Sequence, residues 1–484
     1  MESLLNRLIP DKLHRLVLIM LFIIGSVLRL IKIPSGWDGD FAQFYLTAYH
    51  IVKYGEYPVV GQFASAINFY YPPFAYYFLA FLMLFNSSLE FVISFFAICH
   101  SLSILTVYAL GRNLFDSPKT GLLSAFFFTF ASTEIFYSRS LMGNSIVIPF
   151  MLLSLLFFTL YLKNSNKRHL IISYSLIFLS GLFNYAHFPF LLVYSIYTYF
   201  KTKRLFKIIF FNLLFIASFV LFNFPLLIVL KKNSLFLPSY QGINPEKLVQ
   251  DLFLYFQSVF IFNPANIFKG YILVIVLTFI NIFYKNYRFR PVLLLASLIS
   301  ATYLSLFFVC RECFPAYYTS VYPFFYLILS FLIINLINIK KKSARAVAYF
   351  SLIFSMFIFT NDIKSMYYFD RTYPDMEVIA EQIKADVIKY DRRNFNALVI
   401  FKKDYWHSPT IWYFLEKKMN IKLTRVAITP LGLEMSNQPA NLYIICIDED
   451  KDCLGYIKTN YGHFSLKYQL SAELPYHVYL LEKE

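Results

Sequence analysis

Apolar runs of about 15 to 25 residues recur through the first 362 positions, separated by short polar or basic stretches. A helix that crosses the hydrocarbon core needs about 20 apolar residues. The runs predict about eleven spanning helices, near 16–33, 89–111, 120–137, 144–162, 170–185, 188–200, 208–230, 270–284, 291–309, 318–338 and 346–362. The first, Leu16 to Ile33, has no small-residue cleavage site behind it and reads as a retained helix rather than a signal peptide. The stretch 170–200 is broken by Asn184, His187 and Pro189 and has basic loops at both ends. Two short helices meeting at one membrane face fit that pattern.

Two further segments are amphipathic or apolar without being counted as spans. The stretch Trp37 to Tyr57, WDGDFAQFYLTAYHIVKYGEY, follows the first span and predicts a surface helix beginning near Phe41. Residues 72–86 are apolar, but counting them as a span would invert every later loop. They are therefore expected to lie along the outer membrane surface as an interfacial helix.

Beyond position 362 the apolar runs shorten to strand length. Val378, Ile379, Ile383, Val387 and Ile388 recur with a helical period over 374–390. Residues 397–401 read as a buried strand. Ser408-Pro409 opens a helix to about Asn420, with a capping residue followed by proline at the first position. Further strands are expected at 421–427, 441–447, 464–470 and 476–482. The fold class is thus a polytopic α-helical membrane domain, 1–362, with juxtamembrane helices on the outer face. A small extracytoplasmic α/β domain, 363–484, follows it. No Gly-rich phosphate loop is present.

Charge orients this arrangement. The chain carries 44 Lys/Arg and 28 Asp/Glu, a net +16, within a composition that is 58% hydrophobic and includes 57 Phe and 39 Tyr. Residues 363–484 hold 16 basic and 16 acidic side chains, so the excess lies elsewhere. Six segments carry 19 Lys/Arg: the amino terminus through Arg15, and 112–119, 163–168, 201–207, 285–290 and 340–345. An even number of crossings separates each from the next, the signature of positive-inside sorting. The expectation is a cell-membrane, multi-pass protein with a cytoplasmic amino terminus and an extracytoplasmic C-terminal domain. The basic excess serves topology, so no nucleic-acid partner is expected.

Five cysteines imply little. Cys310 and Cys313 fall in an outer loop, and Cys446 and Cys453 in the outer domain. Zinc sites usually need two such pairs or added His, so reduced thiols or a local disulfide are the plain readings. Asp448 to Asp452 lacks the turn glycine and distal Glu of a calcium loop. No metal site and no cofactor is expected, and a divalent metal is not indicated.

The chemistry-bearing candidates gather at the outer face. Asp38 and Asp40 lie just past the first span. Asp40 either caps the surface helix or serves as a general base that deprotonates an acceptor hydroxyl. A sugar on a lipid phosphate is already activated, so one base and a cation for the departing phosphate suffice. Among the cations on that face, which include Arg29 and Lys53, most are expected to snorkel at the headgroups. Arg139 and Arg311 sit in short outer loops, and Arg suits bidentate phosphate contact. Glu134, about one helical turn before Arg139, either pairs with it or lines the site. His187, at the helix break, is a structural hydrogen-bonding residue or a substrate contact.

This order of features resembles the GT-C superfamily of polyprenyl-phosphate-sugar-dependent glycosyltransferases. The nearest branch holds the bacterial relatives of protein O-mannosyltransferases and of the lipid A aminoarabinose transferase. That branch has an acidic motif after the first helix, then an aromatic, then a Gly about fifteen positions on. Asp40-Phe41, Phe44 and Gly55 match this spacing, with Phe41 in place of the usual Glu. The Tyr70-Tyr71-Pro72-Pro73-Phe74 run matches the opening of the second surface helix, and Gly111 to Phe115 matches a Gly-Arg-x-Leu-Phe cytoplasmic turn. Tyr137-Ser138-Arg139 and Leu141 to Asn144 match a Tyr-Ser-Arg, Leu-x-Asp pair, with Asn144 replacing the acid and left to hydrogen bonding. Gly181-Leu182 ahead of His187, and Tyr317 to Pro323 at a late helix entry, complete the likeness over residues 1 to about 345.

The resemblance implies an inverting glycosyltransferase with Asp40 as base and Asp38 as its assistant. Arg139, Arg311, His187, Glu134, Tyr71, Asn144 and Tyr317 would contact substrate. The partners implied are a polyprenyl-phosphate-linked sugar donor, a glycan, lipid or protein acceptor, and the lipid bilayer. A transporter or flippase for a lipid-linked saccharide would instead show inverted repeats and charges near the midplane of several helices, which the chain lacks. A non-catalytic membrane scaffold stays open through the missing Glu after Asp40.

Overall fold

The computed structural model describes residues 12–31, 33, 39–61, 63–64, 69–141, 143–184, 187–222, 264–283, 289–309, 321–360, 372–392, 394–400, 408–421, 423, 426–429, 432–435, 440–447, 464–470 and 476–483. In chain order the elements begin with α1 (Lys12–Leu30), α2 (Gly39–Tyr54), β1 (Phe63–Ala64), β2 (Phe69–Tyr70) and α3 (Phe74–Met83). Then come α4 (Leu89–Phe115), α5 (Pro118–Phe130), α6 (Ser132–Tyr137), α7 (Gly143–Asn164), α8 (Lys167–Phe183), α9 (Pro189–Thr202) and α10 (Leu205–Phe222). After these lie α11 (Pro264–Phe283), α12 (Phe289–Val309), α13 (Tyr322–Ile337), α14 (Lys342–Thr360) and α15 (Thr372–Lys389). The chain ends with β3 (Phe395–Ile400), α16 (Ser408–Trp412, continuing as a π-helix Tyr413–Lys418), β4 (Val426–Thr429), β5 (Gly432–Met435), β6 (Asn441–Ile447), β7 (Phe464–Leu470) and β8 (Tyr476–Lys483).

These elements form two compact units. The first is Met1–Ile33, Tyr57–Phe78 and Glu90–Met366; the second is Pro34–Glu56, Leu79–Leu89 and Tyr367–Glu484.

The first unit is a helical bundle built for an apolar solvent. By length and composition, three of its described helical stretches are able to cross a membrane: Lys12–Leu30, Leu89–Phe115 and Ile146–Asn164. Large apolar side chains point outward: Leu16, Met20, Ile23 and Val27 form an exposed stripe on α1, and Phe206 and Phe350 are 82% and 68% exposed. Exposed apolar side chains of this kind suit contact with lipid. Inside, α13 is buried on every side from Tyr322 to Ile333. A helix hydrophobic all round sits at the centre of a bundle, and Phe331 stacks on Phe115 of α4 at 4.4 Å. The α7–α8 hairpin is closed by Ser154, whose hydroxyl donates to the Ser173 carbonyl at 2.9 Å. The Phe158 ring stacks 3.8 Å from Tyr194.

The α4–α5 turn shows why its residues are small. Ser117 caps α5, accepting from the Thr120 amide at 3.2 Å, with Pro118 at the first helical position. The two helices then approach so closely that a Cβ on Gly111 would lie 2.8 Å from the Gly121 Cα, and one on Gly121 would lie 2.6 Å from the Tyr108 carbonyl oxygen. Small residues permit such crossings between membrane helices.

The expected single helix over 120–137 is instead two, α5 and α6, separated at Ala131. Ala131 is extended (φ −63°, ψ 119°), and its amide still bonds the Phe127 carbonyl. Two later α5 carbonyls go to a side chain from another helix, as described below.

The second unit contains a four-stranded sheet in the order β3-β6-β8-β7. β3 runs parallel to β6, while β6–β8 and β8–β7 are antiparallel, with an irregularity between Leu466 and Tyr468. Its buried core includes Leu398, Tyr443, Ile444, Ile445, Val478 and Leu480, with Ile379 and Ile383 of α15. Tyr443 donates to the buried Asp386 carboxylate at 2.5 Å, and Arg392 reaches Glu482 at 2.6 Å. The strand expected at 421–427 begins later, at Val426, and pairs with β5 as a hairpin. The end of α16 explains the delay: Met419 N–H bonds Phe414 O at 2.9 Å and Ile421 N–H bonds Leu415 O at 2.8 Å.

The Gly121→Ala variant should lose about 1–3 kcal/mol of stability, because the α4 backbone opposite cannot yield to a methyl group. Thermal unfolding of the purified protein in detergent checks this, with an exposed-face change such as Ile353→Ala as the neutral reference.

Candidate active site

In the second unit, helix α2 begins at Gly39, two positions ahead of the expected start. Asp40 therefore lies within the first turn rather than at the cap. Phe41, Phe44, Tyr45 and Ala48 are buried at helical spacing. The helix ends at Gly55, which takes φ 67° and donates from its amide to the Ile51 carbonyl at 3.2 Å. That is a left-handed helix end, which glycine adopts without strain. The fifteen steps from Asp40 to Gly55 set them about 22 Å apart along the axis. The motif spacing is therefore the length of one helix.

In the first unit, the Tyr71 carbonyl accepts from the Gly61 amide at 2.9 Å. A Cβ on Gly61 would meet the Tyr71 and Pro72 carbonyl oxygens at 2.5 and 2.4 Å. Gly61 is thus the residue that allows this loop to close, beside the short β1–β2 pair.

Two buried arginines of the first unit close helix ends. Arg29, fully buried on α1, donates from Nη2 to Phe128 O at 2.9 Å, and from Nη1 to Gly25 O at 3.1 Å and Thr129 O at 3.4 Å. Phe128 and Thr129 belong to the last turn of α5, whose carbonyls have no helical partner. Its guanidinium also lies 5.3 Å over the Phe128 ring. Arg139 answers from the other side, donating to Leu28 O at 3.2 Å and Ile31 O at 3.3 Å at the end of α1. Each helix end is thus capped by an arginine from the partner segment. Arg29, expected to snorkel, does not. Arg139, for which the sequence suggested phosphate contact, holds these two carbonyls.

Glu134 on α6 is 1% exposed, and neither of its carboxylate oxygens has a hydrogen-bond partner. It feels the charge of Arg29 rather than of Arg139, the partner its spacing suggested. His187, between α8 and α9, is equally buried, with the Phe190 ring edge-on at 6.0 Å and both ring nitrogens unbonded. Buried polar groups are rarely left without a partner, and these two side chains are among the exceptions. Asn144 lies in the first turn of α7. Asp38, Arg311, Tyr317, Cys310, Cys313, Cys453 and the 448–452 turn lie outside the described residues. Cys446 is disulfide-bonded.

Residues 71–228 match the family described as dolichyl-phosphate-mannose-protein mannosyltransferase. No curated protein matches the chain. Among solved structures, ArnT from Cupriavidus metallidurans, bound to undecaprenyl phosphate, is similar over 96% of this chain and 97% of its own. The identity is 12% and the TM-score 0.56. The oligosaccharyltransferase AglB from Archaeoglobus fulgidus, in complex with an inhibitory peptide and a dolichol-phosphate, is similar over 96% of this chain and 74% of its own. The identity is again 12%, with a TM-score of 0.51. The likeness is one of fold. The chain is a multi-pass membrane protein with the fold of the GT-C glycosyltransferases, and the resemblance read from its motifs stands.

Arg29→Ala should destabilise the protein by about 1–3 kcal/mol, since it strips buried carbonyls of a donor and removes the cation whose charge reaches Glu134. Adding Glu134→Gln should recover part of that loss. Unfolding midpoints of the two single variants and the double, in the same detergent, check the coupling.

Proposed function

We propose that the protein is an inverting glycosyltransferase. It takes a sugar from a polyprenyl-phosphate donor and passes it to a glycan, lipid or protein acceptor on the outer face of the membrane. The observation that carries this reading is a carboxylate in the first turn of the helix after α1, in a chain that shares the GT-C fold over almost its whole length. Neighbours of that fold hold undecaprenyl phosphate or dolichol-phosphate, which supports a donor of the same class.

In this reading Asp40 removes the proton of the acceptor hydroxyl as that oxygen attacks the anomeric carbon. The phosphate departs from the opposite face, and one displacement inverts the anomer. Asp38 assists, Arg311 steadies the phosphate, and Tyr71 and Tyr317 contact substrate. The bundle crosses the membrane about eleven times, with 363–484 as an extracytoplasmic α/β domain. The six basic loops support that orientation. So does the disulfide at Cys446, because such bonds persist in oxidising compartments.

Asp40→Asn keeps the size of the side chain and its ability to accept a hydrogen bond. Turnover of purified enzyme with a lipid-linked sugar should fall about 10²–10⁴-fold, the usual share of a general base, with donor binding kept. Normal turnover in both Asp40→Asn and Asp38→Asn would remove this assignment.

A further inference from the structure

Helix α2 carries Asp40 at one end and His50 near the other, and the second unit holds the His50 end between two carboxylates. His50 Nε2 lies 2.5 Å from Glu416 Oε2, and His50 Nδ1 lies 3.4 Å from Glu56 Oε2. Glu416 belongs to the π-helical turn of α16, 366 residues farther along the chain, and its side chain is only 8% exposed. A ring with a carboxylate at each nitrogen is satisfied on both sides only as the imidazolium, which donates twice.

The surrounding contacts join the same three segments. Tyr45 meets Tyr413 edge to face at 5.3 Å, and its hydroxyl donates to the Ser87 carbonyl. Lys417 donates to Ser87 Oγ at 2.9 Å and sits 4.7 Å over the Tyr49 ring. Lys53 reaches Asn420 at 3.2 Å and lies over the Tyr49 and Tyr54 rings. The charged groups around His50 are thus Glu56 and Glu416 on one side of the balance and Lys53 and Lys417 on the other.

We propose that the C-terminal segment positions the helix that bears the base: imidazolium His50, clamped between Glu416 and Glu56, sets the seat of α2 and hence the place of Asp40. His50 and Glu416 are positioning residues; their partners are each other, not substrate. The proposal rests on Asp40 being the base. Ten residues of helix, about 15 Å, separate the clamp from Asp40. A shift of about 1 Å at a reacting group is enough to cost about 10² in rate.

The clamp has a pH signature. Burial alone would lower the His50 pKa, but the hydrogen bond and charge of Glu416, with Glu56, outweigh it and raise it above 6.5. A raised cationic pKa contributes stability that is complete below the unfolded value and is lost as pH climbs through the folded one. The seat of α2 should therefore be firm in acid and loosen above neutrality.

The test is amide hydrogen exchange of the full-length protein in lipid nanodiscs, corrected for intrinsic rates, alongside donor turnover. In wild type, protection over 39–54 should fall as pH rises through the His50 titration, while β6 and β8 stay constant. His50→Gln and Glu416→Gln, both close in shape to the originals, should loosen α2 about tenfold at pH 6 and abolish the pH step. The double variant should be no worse than either single one. Turnover number should fall about tenfold with donor KM unchanged. Unchanged protection of α2 in folded Glu416→Gln would overturn the clamp, as would a wild-type profile without the pH step. A loosened helix with normal turnover would overturn its link to the base. Absence of turnover in wild type with lipid-linked sugars would defeat the transferase reading, while the exchange measurement still decides the clamp.

Discussion

A helix that ends in hydrocarbon has four carbonyls without partners and no water to supply them. Much of the first unit follows from how those ends are closed. Arg29 takes the Phe128 and Thr129 carbonyls of α5, and Arg139 takes those of Leu28 and Ile31 on α1. Lys201 at the end of α9 does the same for Tyr161 at 2.8 Å, and for Leu162, near the end of α7. Asn281 bonds the Leu332 carbonyl of the central helix at 3.4 Å and accepts from Asn335 at 2.8 Å. Cations drawn inward to carbonyls do two things at once. They remove an unsatisfied acceptor, and they bring fixed positive charge into the bundle.

The closure of α5 also decides where the chain turns. Arg29 of α1 holds carbonyls in the last turn of α5, which stops at Phe130. The chain leaves Ala131 in an extended conformation and restarts as α6. That restart places Glu134 in the interior within the field of Arg29. In the second unit the corresponding constraint is a charged cluster rather than a helix end: His50, Glu56 and Glu416 fix one end of the helix that begins at the candidate base.

The helices with long uniform apolar runs are legible in the chain alone. The runs near 89–111, 144–162 and 346–362 correspond to α4, α7 and α14, and strands 441–447 and 464–470 match β6 and β7 to the residue. Local signals carried these: periodicity, Ser-Pro starts and glycine ends. The break at Ala131 was not legible, because no proline or glycine marks it, and the guanidinium that meets the end of α5 comes from about a hundred residues away. Arg29 looked like an ordinary headgroup cation for the same reason, since its partners are backbone carbonyls that every residue possesses. Glu416 was one acid among sixteen in a neutral stretch, and only the fold brings it to His50. The Asp40-to-Gly55 spacing was legible as a motif, and its physical meaning, one helix between a first-turn carboxylate and a left-handed end, came from the structure.

The central claim is that the protein moves a sugar from a lipid phosphate by a single displacement. The most direct measurement offers the purified protein an anomerically pure polyprenyl-phosphate sugar together with crude acceptor glycolipids in nanodiscs. Free polyprenyl phosphate is then quantified, and the anomeric configuration of the new linkage is determined by NMR. The account predicts stoichiometric release of polyprenyl phosphate and a product of inverted configuration. Retained configuration would contradict the single displacement, and movement of intact donor across the bilayer without its cleavage would contradict the enzyme itself.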